Sequence, residues 1–225
     1  MPGGPSASGV VRMSEARTEI LQRIRTAIGP SPQVPEVPHG YRTDAGYSQA
    51  QLREVFTDRL LDYKAELVTC EDSDDAIAAT LDDLLSTRGV DSVVVPPAVQ
   101  KAWLASGGAA GRVRVLVDEP VVTFTDLDGV AAVVTGAALA IAETGVIVLD
   151  GDPWCGRRAI SLIPDVHVCV VRMAQVVGLP PEAVARLDPR RPQTWIAGPS
   201  ATSDIELDRV EGVHGPRTLI VMLAG

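Results

Sequence analysis

Residues 129–151 read GVAAVVTGAALAIAETGVIVLDG. The run holds three apolar segments, 129–136, 137–145 and 145–151, with almost nothing between them. Upstream the pattern is different. AELVTC (65–70), DSVVVP (91–96) and RVRVLVD (112–118) are short apolar strands, each separated from the next by a helical stretch. Strands alternating with helices predict βαβ units and a parallel sheet buried on both faces. Parallel neighbours need a crossover of a dozen or more residues, so the three segments of 129–151 are expected to pair as antiparallel hairpins. The sharp change at residue 129 therefore decides the fold class. It predicts a three-layer α/β/α sandwich with a mixed, mostly parallel sheet and an antiparallel hairpin insertion. HVCVVR (167–172), TWIAG (194–198) and TLIVMLAG (218–225) are expected to complete the sheet.

The helices carry their own start and stop signals. Ser48 with Gln51 forms a capping box for a helix over about 48–64, whose stripe is Leu52, Val55, Phe56 and Leu60. Ser73, followed by Asp74 and Asp75, starts another with the stripe Ile77, Leu81, Leu84 and Leu85, and Gly89 stops it. Pro97–Ala105 reads as a further helix. Residues 1–12 are rich in Gly, Pro and Ser and are expected to be disordered. A helix is predicted over Ser14–Ile28, and SPQVPEVPHGYR (31–42) reads as an extended arm. The expected organisation is an N-terminal tail, helix and Pro-rich arm over 1–45, then one α/β domain over 46–225. No internal repeat is visible.

Bulk properties narrow the function. A net charge of −9 with no Lys/Arg run argues against a nucleic-acid partner. No apolar run reaches the roughly 18–20 residues of a membrane span, and the N-terminus lacks the apolar core of a secretory signal. A cytoplasmic protein is expected. Cys70, Cys155 and Cys169 are odd in number and far apart, which predicts reduced thiols and neither a zinc ribbon nor an iron–sulfur cluster held by this chain alone. No dinucleotide or flavin fingerprint is present, so no cofactor is expected.

Several residues have chemistry to offer. Glu143 is a lone carboxylate between apolar runs at a hairpin tip, where burial would raise its pKa and aim it into a cleft. Thr144 and Gly145 complete that turn. In WIAGPSATSDIELDRVEGVHGP (195–216), Gly198 and Pro199 break a strand, and Ser200, Thr202 and Ser203 supply hydroxyls. Ser203 and Glu206 fit a helix start whose free N–H groups could bind a carboxylate or phosphate. Asp204 and Glu206 oppose an anion there by filling the first turn with negative charge. His214, on a Gly-flanked turn, suits a general acid/base or a hydrogen-bond donor. Ser200, His214 and Asp204 could also compose a triad, although no G-x-S-x-G elbow accompanies them. His167 and Cys169 lie i, i+2 on one strand face but lack an evident third metal ligand. Arg157 and Arg158 could hold an anion or form a solvated pair.

Taken together, TGAALAIAETGVIVL (135–149), RRAISLIPDVHVCVVRMAQVV (157–177), WIAGPSATSDIE (195–206), GVHGP (212–216) and FTDRLLDYKAEL (56–67) resemble the lactate-utilisation (LUD) domain family, most closely its protein C branch. The resemblance covers nearly everything after Met13, while the loop DPWCGRR (152–158) matches no firm family pattern. It implies a fold similar to the sugar-phosphate isomerase and coenzyme A transferase-like α/β fold. It also implies partner subunits, one an iron–sulfur protein, that together oxidise L-lactate to pyruvate. On this reading the chain is an accessory or substrate-handling subunit that binds a small carboxylate or phosphate, with homo-oligomerisation open. One alternative is an acyl- or coenzyme A transferase-like, or sugar-phosphate-type, enzyme using Glu143, because Glu143-Thr144-Gly145 resembles the Glu-x-Gly turn of coenzyme A transferases. A second is a non-catalytic interaction module. The candidate site gathers Glu143 and His214 as acid/base groups and Thr144, Gly145, Gly198, Pro199, Ser200, Thr202, Ser203 and Asp204 as ligand-binding residues.

Overall fold

The computed structural model describes residues 8–30, 36–38, 40–105, 112–202, 210–211 and 215–225. The chain divides into two compact units, Met1–Tyr41 and Arg42–Gly225. In the first, helix α1 spans Ser8–Ile28 and so begins six residues before the predicted start, inside the segment expected to be disordered. Ser203, Asp204 and His214 lie outside the described residues. Among the described residues, no helix is long and apolar enough to cross a membrane.

The second unit is built on a six-stranded sheet. Its strands are β1 (Glu66–Cys70), β2 (Ser92–Val95), β3 (Arg114–Val117), β4 (Ala132–Gly136), β7 (Val166–Arg172) and β12 (Thr218–Ala224), in the order β1-β12-β7-β4-β2-β3. Every pairing in it is parallel. Burial follows position. All four residues of β2 and all five of β4 are buried, whereas the edge strands β1 and β3 are only partly covered. A strand covered on both faces has no use for polar alternation, which is why these segments read as unbroken apolar runs.

Helices α2 (Gln49–Asp62), α3 (Asp74–Thr87) and α4 (Pro97–Trp103) start where the sequence says they should. The Ser48 hydroxyl accepts from the Gln51 N–H while the Gln51 side chain accepts from the Ser48 N–H, and Ser73 caps Ala76. One face of the sheet packs on α3 and α4 through Ile77, Leu81, Leu85, Val99 and Trp103.

The opposite face differs from expectation. Residues 139–149 form a hairpin, β5 (Leu139–Ile141) and β6 (Val146–Leu149), but β4 pairs with neither strand. The chain instead passes from the large sheet into a second, four-stranded sheet of order β8-β5-β6-β9, where β8 is Val176–Val177 and β9 is Thr194–Ile196. TWIAG thus belongs to the small sheet and not to the large one. The link is Gly136-Ala137-Ala138. A side chain on Gly136 would meet Trp154 Cβ at 3.1 Å, and its N–H donates to the Trp154 carbonyl. Small residues here let the chain slip between sheets without folding back. The small sheet and α2 together form the third layer, burying Phe56, Leu60, Ile147 and Leu149 against Cys169, Val171, Val221 and Leu223. Short helices α5 (Phe124–Asp128) and α6 (Pro180–Arg186) complete the unit.

Candidate functional site

Two turns at one end of the small sheet carry the residues the sequence singled out, and both press on α2. The first is Glu143-Thr144-Gly145. Gly145 adopts φ +62°, and a Cβ there would lie 2.9 Å from Arg59 Cβ, so both backbone conformation and space require glycine. The Glu143 N–H donates to the Gly178 carbonyl, and the Glu143 carbonyl accepts from Arg59 Nε at 3.2 Å. The carboxylate accepts from the Tyr47 hydroxyl at 2.8 Å and pairs with Arg42. Residues 42–47 are thereby tied to the rest of the second unit, helped by the Ala45 N–H, which donates to Glu182.

This overturns the expectation of a raised pKa. The Tyr47 hydrogen bond, then Arg42 and Arg59, outweigh partial desolvation and hold the Glu143 carboxyl below the usual range. Glu143 is an ionised acceptor, not a protonated acid. The Thr144 hydroxyl is buried and has no hydrogen-bond partner among the described residues.

The second turn follows β9. Gly198 has φ +76°, and a side chain there would strike Tyr63 Cβ at 2.7 Å and the Tyr63 carbonyl oxygen at 3.0 Å. Pro199 and Ser200 follow, and the Ser200 N–H donates to the Pro216 carbonyl at 2.9 Å. Residues Ala201–Thr202 form β10, paired antiparallel with β11 (Val210–Glu211).

Under this turn lies a cavity of about 270 Å³. Gly198, Pro199 and Ser200 cover it, Gly215 and Pro216 close one side, and His167 and Leu219 form its base. His167 and Leu219 are the second residues of β7 and β12, so the cavity opens at the amino ends of those strands. Arg158, Ser161 and Leu162 form the remaining wall. Glu143 and its turn are not among the lining residues. β5 and β9 are separated by β6, and two strand spacings come to about 10 Å.

The arginine pair splits. Arg157 makes a two-point contact with Asp118, Nε to Oδ2 at 2.6 Å and an Nη to Oδ1 at 3.0 Å, and donates also to the Val122 carbonyl. Arg158 is exposed; its carbonyl accepts from the Ser161 hydroxyl at 3.0 Å, but its guanidinium has no hydrogen-bonding or acidic partner among the described residues. It stands between the first cavity and a second of about 440 Å³ that also contains Asp118 and Arg157. A guanidinium without such a partner among the described residues, on the wall of a cavity, offers planar, two-point recognition of a carboxylate or phosphate.

His167 is buried at the base of the cavity, and its Nε2 lies 2.8 Å from the Thr135 hydroxyl. Burial alone pushes its pKa down to about 4, so the ring is neutral near pH 7. Cys169 on the same strand face is pushed up to about 12 by burial, and Cys155 is raised also. One group with metal-ligand spacing exists among the described residues, Asp150, Asp152 and Cys155. Asp150 binds Arg191, however, and one Asp152 oxygen accepts from the Trp154 and Cys155 N–H groups, so these acids already have structural partners.

Sequence reasoning placed the Gly198–Ser200 turn and noticed His167 and both arginines. It missed Thr135, Ser161 and Leu219. Only the strand register, with Thr135 opposite Cys169 and Val133 opposite His167, brings Thr135 beside the imidazole.

The chain is similar to known proteins along most of its length. The model of the LUD domain matches residues 53–224. A Deinococcus radiodurans protein named lactate utilization protein C is 44% identical over 94% of this chain and 97% of its own length. A Bacillus subtilis protein of the same name is 26% identical over 87% of this chain and 90% of its own. The crystal structure of a DUF162 family protein from Deinococcus radiodurans superposes with a TM-score of 0.63 at 38% identity, covering 80% of this chain and 99% of that one. The chain belongs to the LUD domain family.

Proposed function

We propose that this chain serves lactate utilisation as a substrate-handling subunit of an L-lactate oxidation system, holding a small anion in the cavity beneath Gly198-Pro199-Ser200. The relatives named lactate utilization protein C support the pathway. The observation that carries the anion is Arg158: a guanidinium without a partner among the described residues, on the wall of a cavity of small-molecule size. Neutral His167 and Ser200 add polar groups without adding negative charge. Partner iron–sulfur subunits carry the electrons in this reading, as the family resemblance implies. Glu143 acts as a hydrogen-bond acceptor that anchors Arg42 and Tyr47 at a turn outside the cavity lining, Thr144 and Gly145 complete that turn, and Thr202, paired with Val210, follows the turn that covers the cavity. Ser203, Asp204 and His214, which the sequence also assigns to the site, lie outside the described residues.

The test is calorimetric titration of the purified chain with L-lactate and with inorganic phosphate, for the wild type and Arg158→Ala. One of the two anions binds the wild type and loses roughly 10- to 100-fold in the variant, the worth of a charged hydrogen-bonded pair. Equal binding by both proteins removes Arg158 and the cavity from the reading. In a strain lacking the native copy, Arg158→Ala also fails to restore growth on L-lactate, whereas the wild-type chain restores it.

A further inference from the structure

The polar groups at the base of the cavity form a chain with only one self-consistent direction. His167 Nε2 lies 2.8 Å from Thr135 Oγ1, Thr135 Oγ1 lies 3.7 Å from Cys169 Sγ, and Cys169 Sγ lies 3.6 Å from the Gly136 carbonyl oxygen. A carbonyl can only accept, so the thiol donates to Gly136. The sulfur then accepts from the Thr135 hydroxyl. That hydroxyl has spent its single proton, so its oxygen must accept from His167, and Nε2 must carry the hydrogen. Both ends support this direction. Burial keeps the Cys169 thiol protonated and the His167 ring neutral. A neutral imidazole with hydrogen on Nε2 has a bare lone pair on Nδ1. Nδ1 has no partner among the described residues, although His167 is 1% exposed and borders the cavity. An open acceptor on a residue that lines the cavity is a place where a ligand hydroxyl can donate.

We propose that His167 Nδ1 is the acceptor for a ligand hydroxyl, and that the Thr135–Cys169–Gly136 chain is the positioning device that holds the ring in the accepting tautomer. The cavity accordingly takes an anion with a hydroxyl close to its charge, the charge on Arg158 and the hydroxyl on His167. A hydroxycarboxylate and a hydroxylated phosphate ester share this chemistry. This rests on the anion site proposed above and adds the hydroxyl requirement.

The experiment pairs anions that differ only in the hydroxyl: L-lactate against propionate, and glycerol 3-phosphate against propyl phosphate. Titration of the full chain with each gives the hydroxyl's worth and tells the two sources apart. In the wild type, the hydroxylated member of one pair binds roughly 3- to 10-fold tighter, the range of one neutral hydrogen bond. Nitrogen-15 NMR of the imidazole reports hydrogen on Nε2. Thr135→Val removes the acceptor for that hydrogen, and the ring shifts toward the Nδ1–H form, which can only donate and so turns to the charged carboxylate or phosphate oxygen that both members of a pair carry. The preference falls to near unity while propionate or propyl phosphate affinity does not fall. Cys169→Ala leaves the Thr135 hydroxyl free to donate to Nε2 and gives the same loss by a milder change in packing, whereas Thr135→Ser retains the preference. Hydrogen on Nδ1 in the wild type, or a preference unchanged in Cys169→Ala once its tautomer has shifted, overturns the proposal. Equal binding of paired anions overturns the hydroxyl requirement alone. Failure of every anion to bind overturns the anion site and this inference with it.

Discussion

The turns at Gly145 and Gly198 are built alike but finished differently. Each is a left-handed glycine after a strand of the small sheet, and each presses on α2 one helical turn apart, at Arg59 and Tyr63. At the first turn the carboxylate has collected a tyrosine hydroxyl and an arginine. At the second, the groups around the cavity keep unspent capacity among the described residues: a guanidinium without a counter-charge and an imidazole with one nitrogen still open. A saturated cluster stabilises the fold. An unsaturated one is where a ligand lowers the free energy. The residue with the most conspicuous sequence context, Glu143, is the one whose capacity is already used.

The contrast can be broken at several points. The largest effect is expected from Gly198→Ala, because the new side chain meets the Tyr63 backbone as well as its Cβ and sits at positive φ. Denaturant unfolding should show a loss of about 3–4 kcal/mol. The pH dependence of the base of the cavity comes next. His167 stays neutral in the folded chain down to about 4, while the unfolded ring titrates near 6.5. Between those values the unfolded state binds more protons, so the stability is complete above pH 6.5 and falls as pH drops toward 4. The total is roughly 3 kcal/mol. Denaturation curves between pH 5 and 7 measure the slope, and His167→Asn flattens it.

Arg158→Ala should cost the anion about 1.4–2.7 kcal/mol of binding, the free-energy form of a 10- to 100-fold loss, with the thermal midpoint unchanged because the exposed guanidinium makes no hydrogen bond or ion pair among the described residues. Gly145→Ala, whose new methyl meets Arg59 at 2.9 Å on Cβ but only 3.3 Å on backbone, should lose about 1–2 kcal/mol, less than Gly198→Ala. The smallest effect belongs to Glu143→Gln. Removing the charge weakens the Arg42 and Tyr47 contacts, lowers the thermal midpoint at low salt, and makes less difference at high salt because the pair is partly solvated. A wild-type midpoint more salt-resistant than the variant's would show the turn to be more deeply shielded than its exposure implies.

The parallel sheet was legible because β2, β4, β7 and β12 are long apolar runs, and α2 and α3 because Ser48, Gln51 and Ser73 announce their starts. The second sheet was not. A strand continuing into another sheet and a strand folding back on itself have the same period-two pattern, and only packing around Gly136 distinguishes them. Helices of five and seven residues, such as α5 and α6, are too short for periodicity to register. At the site, Gly198-Pro199 could be read as a turn from residue types alone. The different fates of adjacent Arg157 and Arg158 could not, since Asp118 lies 39 positions from Arg157 in the chain. Thr135 became visible only through the β4–β7 register.

The strand order has one more consequence, for assembly during synthesis. β1 leaves the ribosome early, yet its only neighbour in the sheet is β12, which also separates it from β7. Until Thr218–Ala224 has been made, Glu66–Cys70 has no parallel partner, and β7 shows a bare edge on the side that β12 will occupy. Of the six strands described in this sheet, the one latest in sequence is therefore the wedge that closes the layer, and the nascent chain waits for it with apolar edges uncovered.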